Sequence, residues 1–222
     1  MEILKTQDET SLKLNESFKS LAQKVCMLFA TEGVHRKPYV PGLPYFEKLS
    51  VEKKQEVVQS LTFFKELCEE QVAEGYKLRD NSTFVWKAFL KLGLVPRSDV
   101  FNYLTDENLV EVYSADNKQL YRNFRFFECC TYTLEELYSL EWWHLYERDP
   151  QETMKTFEVC SKVFNGEITE SHAPGLGPHF LKEINSSEKR ECYMEIQLIS
   201  PLKKNRQTEA IVLIETVKGL WN

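Results

Sequence analysis

The chain has 222 residues, a formal net charge of -6, and 42% hydrophobic and 28% charged residues. This length and composition predict a folded protein with one large or two small cores. The acidic balance argues against direct nucleic-acid binding by this chain, because such binding depends mainly on neutralisation of phosphates by Lys and Arg. No apolar run approaches the roughly 20 residues that a membrane span requires, and Met1 begins a polar segment of mixed charge rather than a signal peptide. We therefore expect a cytoplasmic protein that makes no membrane contact.

Six cysteines are scattered along the chain, at Cys26, Cys68, Cys129, Cys130, Cys160 and Cys192. No two of them form a CxxC pair, the spacing typical of metal and redox sites. We expect reduced, mostly buried thiols and no metal site. Cys129 and Cys130 are adjacent, but a redox role would require an exposed thiolate with a lowered pKa.

The first 99 residues contain the pattern of three amphipathic helices. Apolar residues recur at three-and-four spacing from Leu12 to Phe29, which predicts a helix with one buried face. Ser50 is the predicted N-cap of a second helix that ends near Gly75, and a third helix is predicted at about residues 81–93. We interpret residues 1–99 as a helical region with an intrachain core, and dimerisation or partner binding through the same faces is the alternative.

From about residue 100 the pattern changes to short extended segments and new helix starts. Leu109–Ser114 and Gln119–Asn123 flank a turn-like stretch and predict a hairpin. Thr133, with Glu136 three residues later, predicts a capping box. A longer helix is predicted to begin at Asp149, where proline takes the first helical position.

Three further strands are predicted at about residues 179–184, 191–199 and 210–217. In the middle one, apolar and polar residues alternate, as in a sheet with one buried face. The basic stretch Lys203, Lys204 and Arg206 is interpreted as a solvated turn between the last two strands. Residues 100–222 thus predict an α+β domain, an antiparallel five-stranded sheet with helices on one face.

The order of elements and particular residues resemble the PAS sensor family. The residues that carry the resemblance run from Val112 to Asn117, through Tyr121, Arg122 and Asn123, and from Thr131 to Leu137. In PAS domains a stretch like TGYTxEEL follows the opening hairpin. In this chain Tyr132 directly follows Thr131, where the family often has Gly. The resemblance covers about residues 102–218.

The resemblance implies a sensory and regulatory protein. PAS modules bind a small molecule or cofactor between sheet and helices, or simply dimerise, and pass the change to an attached effector. In bacterial regulators with a similar arrangement, the effector is often a LuxR-type helix-turn-helix, and residues 218–222 are too few to supply one. We expect the sensing part of a transcriptional regulator, which forms a homodimer or binds a protein partner.

Six residues are the candidates for a ligand pocket: Asn123, Phe127, Trp143, His144, Met154 and Phe157. The sequence does not identify the cofactor. His144 lies in an aromatic run and could ligate haem iron, but a single unpaired histidine is a weak metal signal and an aromatic run is first a core. The segment from Asn123 to Phe127 lacks the cysteine that flavin photosensors of the LOV subclass require.

No catalytic motif is recognised, and we expect the protein not to be an enzyme. The loop Ala173–Pro178 lacks the Lys and Ser/Thr of a phosphate-binding loop and is interpreted as a connector. His172 and His179 flank this loop and are interpreted as ordinary polar residues. Two alternatives stay open: an adaptor that dimerises or docks a partner through its helices without a ligand, and a haem or redox cofactor-binding enzyme.

Overall fold

The structure is a computed structural model that describes the backbone of residues 2–221 and the side chains of residues 9–221. Within these residues there are six α-helices: α1 Glu2–Thr31, α2 Val51–Ala73, α3 Asn81–Leu92, α4 Phe124–Cys129, α5 Leu134–Ser139 and α6 Pro150–Phe164. Six strands accompany them: β1 Asn108–Ser114, β2 Gln119–Arg122, β3 Tyr146–Arg148, β4 His179–Glu183, β5 Glu191–Lys204 and β6 Gln207–Trp221. The predicted α+β class is confirmed. No helix of the described residues is long and apolar enough to cross a membrane.

Helix starts follow the capping chemistry that the sequence predicts. Ser50 Oγ accepts a hydrogen bond from the amide of Lys53 at the start of α2. Thr133 and Glu136 form a reciprocal capping box at α5. The Asp149 carboxylate accepts hydrogen bonds from two amides in the first turn of α6. Because a cap satisfies amides that have no partner inside the helix, these short polar side chains fix where each helix begins.

Two short elements differ from the prediction. The six-residue helix α4 is rich in buried aromatic residues, and its two polar residues, Arg125 and Glu128, are too few to establish a helical period in the sequence. Strand β3 has three residues and pairs with Leu181–Glu183 of β4, which is too short for alternation to be recognised. The sheet consequently has six strands rather than the five predicted.

All strand pairs are antiparallel, in the order β2-β1-β6-β5-β4-β3. The 14-residue β5 and the 15-residue β6 form a long central hairpin. Asn205 and Arg206 make its turn, with φ of 50° and 69°, the left-handed conformation that suits the twist of two antiparallel strands. The basic stretch therefore lies at the turn between the last two strands, as predicted.

Both faces of β6 are buried over residues 210–215, so helices cover both faces of the sheet there rather than one. Ala210, Val212 and Ile214 belong to the main core together with buried residues of α1, α2 and α3. Ile211 and Leu213, which point to the other face, form a smaller cluster with residues of α6. The N-terminal helices must bury their apolar stripes, and the second face of the sheet accepts them. The division of the chain into a helical region, residues 1–99, and a second domain, residues 100–222, stays a prediction.

A buried asparagine cluster joins α3 to β1 and to the residue that precedes α4. The Asn123 side chain donates to Asn81 Oδ1 at 2.7 Å and to the Asn108 carbonyl at 2.8 Å, and it accepts from the Val110 amide at 3.0 Å. Asn81 Nδ2 donates to the Asn108 carbonyl at 2.9 Å. The two N–H donors and the oxygen of the Asn123 amide are therefore all in use.

The connector between α1 and α2 is held by α5. The buried Glu135 carboxylate accepts hydrogen bonds from three amides of the connector, those of Val40 at 3.0 Å, Tyr45 at 2.9 Å and Phe46 at 3.1 Å. The Arg36 guanidinium donates to the carbonyls of Cys130 and Tyr132, immediately before α5. Polar groups thus fix the proline-rich connector against the second half of the chain.

Candidate functional site

A cleft lies between α6 and the sheet face that carries Ile211 and Leu213, and we call it the α6 cleft. Its apolar lining is Trp142, Phe157, Cys160, Ile196, Ile211 and Leu213. Its polar lining is Glu111, Tyr113, Asn117, Arg148, Glu152, Thr153, Thr156, His179 and Glu215. The cavity has a volume of about 70 Å³. Since benzene occupies an engineered cavity of about 150 Å³, the α6 cleft holds a smaller group.

The α6 cleft adjoins a surface depression of about 450 Å³. Four residues line both: Trp142, Arg148, Thr153 and Phe157. The rings of Trp142 and Phe157 lie 5.5 Å apart between centroids. A ligand whose head group occupies the α6 cleft would therefore have these aromatic side chains and open space at the mouth for the rest of its structure.

Glu215 is a buried carboxyl group on the sheet face of the α6 cleft. It follows Ile211 and Leu213 at period two on β6, and its residue is 2% exposed. Its Oε2 has no hydrogen-bond partner within the described residues. Burial, helped by the negative charge of Glu111 and opposed by Arg148, raises the pKa of Glu215 to about 8. The group is therefore mainly protonated at neutral pH and offers an O–H donor.

Arg148 ends β3 at the mouth of the α6 cleft. Its guanidinium carbon lies 4.8 Å from the Trp142 ring centroid and 5.5 Å from that of Tyr146. Its Nε is buried without a hydrogen-bond partner, and within the described part of the chain no carboxylate pairs with its side chain. Stacking on aromatic faces orients a guanidinium, so Arg148 is held in place while its N–H donors stay available.

The other two carboxylates of the α6 cleft have partners. Glu111 Oε1 accepts hydrogen bonds from Tyr113 Oη at 3.1 Å and from the Gln119 side chain. Glu152 Oε1 forms an ion pair with Lys155 Nζ at 2.7 Å, although its buried Oε2 has none. Arg148 is thus the charged side chain of the lining that has neither an ion pair nor a side-chain hydrogen bond among the described residues.

His179 lies at the start of β4, opposite Met194 on β5. The residue is 9% exposed. Burial, together with the positive charge of Arg148, lowers the pKa of His179 to about 4. Its imidazole is consequently neutral at physiological pH, with one N–H donor and one acceptor.

Three buried thiols lie beside the α6 cleft. Cys129, Cys130 and Cys192 line a cavity of about 20 Å³ that also touches Glu111 and Arg148. Burial raises the pKa of Cys129 to about 11 and that of Cys192 to about 12, and it also raises the pKa of Cys130. The neutral thiol form dominates, which is the opposite of the condition for a redox-reactive cysteine. Among the described residues, no group of three potential metal ligands converges.

The six predicted pocket residues occupy different environments. Phe157 lines the α6 cleft, whereas Trp143 lines the depression at its mouth and not the cleft itself. Asn123 and Phe127 are fully buried in the interior, whereas His144 and Met154 are exposed, Met154 by 72%. The structure therefore does not bring these six side chains together in one cavity.

The two interior candidates have structural roles. The side-chain donors and acceptor of Asn123 all form hydrogen bonds within the asparagine cluster. Phe127 packs against Phe29 of α1 and Phe64 of α2, with centroids at 4.8 Å and 5.1 Å. Phe124 and Phe127 of α4 therefore pack against Phe29 of α1 and do not line the α6 cleft.

Sequence reasoning missed Glu111, Arg148 and Glu215. A usable signal exists for the two glutamates, since each is a charged residue inside an otherwise apolar strand and in phase with apolar neighbours. A charge at such a position is rarely buried without a reason. Arg148 follows the short aromatic run and carries no comparable pattern.

No family model matches the chain, and the comparison with curated proteins found no match.

Proposed function

We propose that this protein is a PAS-type sensory module that binds a small molecule in the α6 cleft and passes the resulting change to an effector. The effector would be a helix-turn-helix of the LuxR type or a separate protein partner. The observation that carries this proposal is the combination of a small cavity with buried polar groups that lack partners, Glu215 and the Nε of Arg148.

The order of elements supports the proposal. A hairpin of β1 and β2 precedes the short helices α4 and α5, then the longer α6, and finally the three strands β4, β5 and β6. This is the succession on which the resemblance to PAS domains depends. The α6 cleft lies between sheet and helix, where modules of that family bind their ligands.

Uncompensated buried polar groups support binding rather than a purely structural role. Buried polar groups in folded proteins are almost always hydrogen-bonded, and an unpaired one costs about 1–3 kcal/mol. Glu215 is as buried as the residues of the asparagine cluster, yet its carboxyl group has an unpaired oxygen. A ligand that supplies the missing hydrogen bonds would remove this cost, which is a physical reason for the site to bind one.

The direct test is native mass spectrometry of the full chain purified from its own source, with an absorption spectrum. We expect a bound small molecule that is lost in Phe157→Asp, a change that places a charge in the α6 cleft. The control is Met154→Asp on the exposed side of α6, which should retain the molecule. Wild-type protein that is free of ligand, and that binds nothing from a cell metabolite extract, would overturn the proposal.

The adaptor alternative has one observation in its favour. Trp86 and Leu90 lie one turn apart on α3 and are 45% and 58% exposed. Adjacent large apolar side chains on a surface helix are typical of contact sites. Dimerisation of ligand-free protein that is abolished by Leu90→Glu, without any effect of small molecules, would favour the adaptor.

The residues around His144 do not fit an enclosed haem. His144 is exposed and is not part of the lining of the α6 cleft. The cleft volume of about 70 Å³ is also far below the size of a macrocycle. A Soret band that disappears in His144→Ala would contradict this assessment.

A further inference from the structure

Three buried side-chain atoms of the α6 cleft have no hydrogen-bond partner among the described residues: Arg148 Nε, Glu152 Oε2 and Glu215 Oε2. Arg148 presents a guanidinium without an ion-pair partner in the described residues, and Glu215 presents a buried carboxyl group without a partner on Oε2. Neither Glu111 nor Glu152 forms an ion pair with Arg148 in the described residues: Glu111 Oε1 accepts a hydrogen bond from Tyr113, Glu152 Oε1 pairs with Lys155, and the buried Glu152 Oε2 has no hydrogen-bond partner. The missing partner of the Arg148 guanidinium is therefore a hydrogen-bond acceptor with negative charge.

We propose that the α6 cleft binds a small monocarboxylate, whose carboxylate group accepts hydrogen bonds from Arg148 and Glu215 and whose short apolar body contacts Ile196, Ile211 and Leu213. This inference rests on the proposed function and assigns the chemical class of its ligand. A planar guanidinium matches the two oxygens of a carboxylate. Arg148 is already oriented for this contact by the rings of Trp142 and Tyr146.

The size of the α6 cleft and the charges of its lining limit the ligand further. A volume of about 70 Å³ accommodates a carboxylate with a short chain, and the depression beyond Phe157 leaves room for a longer one. Glu111 and Glu152 are close enough to line the same cavity, and their charges disfavour a doubly charged anion such as a phosphate.

The first experiment titrates the full chain with butyrate, butyramide and butylamine, which share a carbon chain and differ in charge. Calorimetry and the NMR spectrum of backbone amides around β6 report binding and its place. We expect butyrate to bind most tightly and to shift the amides near Glu215. Tighter binding of butylamine or butyramide in the α6 cleft would overturn the ligand class while leaving the proposed sensory function in place.

Arg148→Gln is the decisive variant. It removes the charge and the bidentate contact, so butyrate affinity should fall about 10- to 100-fold, the loss expected for one hydrogen-bonded charge. Arg206→Gln, in the exposed β5–β6 turn, is the matched control and should bind like the wild type. An unchanged affinity in a folded Arg148→Gln protein would overturn the proposal. Absence of binding by all three probes in the wild type would overturn the ligand class, and the natively purified protein then decides whether another ligand is present.

The pH dependence provides a second, independent readout of Glu215. The titratable and charged groups that face it are Glu111 and Tyr113 on β1, Arg148 on β3, Glu152 and Cys160 on α6, His179 on β4 and Cys192 on β5. Loss of the Glu215 proton removes a donor and adds a like charge, so butyrate affinity should fall as the pH rises through about 8.

Glu215→Gln keeps an N–H donor in place of the carboxyl group and cannot ionise. It should bind butyrate with an affinity that is nearly constant over the same pH range. His179 titrates near 4 and the Cys160 thiol near 11, so neither group produces the expected change. A wild-type affinity that does not vary with pH, or an equal fall in Glu215→Gln, would overturn the role assigned to Glu215.

Discussion

Two buried polar regions of this protein differ in how their hydrogen bonds are completed. The asparagine cluster and the Glu135 anchor are fully paired within the chain, with Glu135 accepting hydrogen bonds from three amides. In the α6 cleft, Glu215 and Arg148 have buried polar atoms without partners. The pattern of apolar residues in the sequence predicts neither of these buried polar regions. The difference separates groups that hold the fold from groups that are available to a ligand.

The largest effect is expected from breaking the paired region at Glu135. Glu135→Ala leaves the amides of Val40, Tyr45 and Phe46 without their acceptor, and each such loss costs about 1–3 kcal/mol. We expect the free energy of unfolding to fall by about 4 kcal/mol, measured by urea denaturation.

Glu209→Ala, at an exposed position of β6, is the control and should change the free energy of unfolding by less than about 0.5 kcal/mol. Equal stabilities of the two variants would contradict the assignment of Glu135 as an anchor.

In the α6 cleft, a substitution at Glu215 is expected to raise the free energy of unfolding rather than to lower it. The folded protein retains the Glu215 proton up to about pH 8, whereas the unfolded chain releases it near its ordinary pKa of 4.5. The free energy of unfolding therefore decreases as the pH rises through this window. Glu215→Gln cannot ionise and should therefore be more stable than the wild type above pH 8.

Denaturation curves at a series of pH values test this expectation. The difference between Glu215→Gln and the wild type should grow with pH up to about 8 and then level off. A variant with a constant or shrinking advantage would show that Glu215 is not the buried titrating group. Glu188→Gln, at an exposed position, provides the comparison for an ordinary carboxylate.

His179 is expected to give a smaller pH dependence of the free energy of unfolding, in the opposite direction to that of Glu215. The unfolded chain protonates this residue below its ordinary pKa of 6.5, but the folded protein does so only near 4. The free energy of unfolding should therefore fall as the pH drops through this interval. His179→Asn should remove about 2 kcal/mol of that fall, seen as a shallower slope in the pH series. An identical slope in both proteins would place the acid sensitivity elsewhere.

The smallest effect is expected at Met154, on the outer side of α6. Its side chain is 72% exposed, and surface substitutions change stability by less than about 0.5 kcal/mol. Met154→Ala should therefore leave both the melting temperature and ligand binding unchanged. A marked loss of either would show that this side of α6 contacts a part of the molecule or a partner that the exposure does not reveal.

Local chemistry made the helix starts predictable, but the location of the site depends on tertiary structure. Ser50, Thr133 and Asp149 satisfy nearby amides, and such contacts follow from a few adjacent residues. Phe127 and Phe157 are both aromatic, yet one packs in the main core and the other lines the α6 cleft. Which one faces a cavity depends on how α4 and α6 are placed against the sheet, and sequence spacing does not contain that information.

The strands show the same limit. Alternation indicated one buried face in β5, whereas β6 is apolar on both faces because helices cover both. Glu215 then ends the stretch of β6, residues 210–215, in which every residue is buried. Its charge is visible in the sequence, but its lack of a partner is a property of the assembled fold.

The Glu135 anchor also constrains the order in which the chain can assemble. Its carboxylate is 89 to 95 residues away in sequence from the three amides that it binds. Closing so long a loop costs entropy before any contact compensates for it. The proline-rich connector can therefore reach its native hydrogen bonding only after α5 has been synthesised and has docked. During synthesis, the N-terminal helices must wait for the second half of the protein before their connection is fixed.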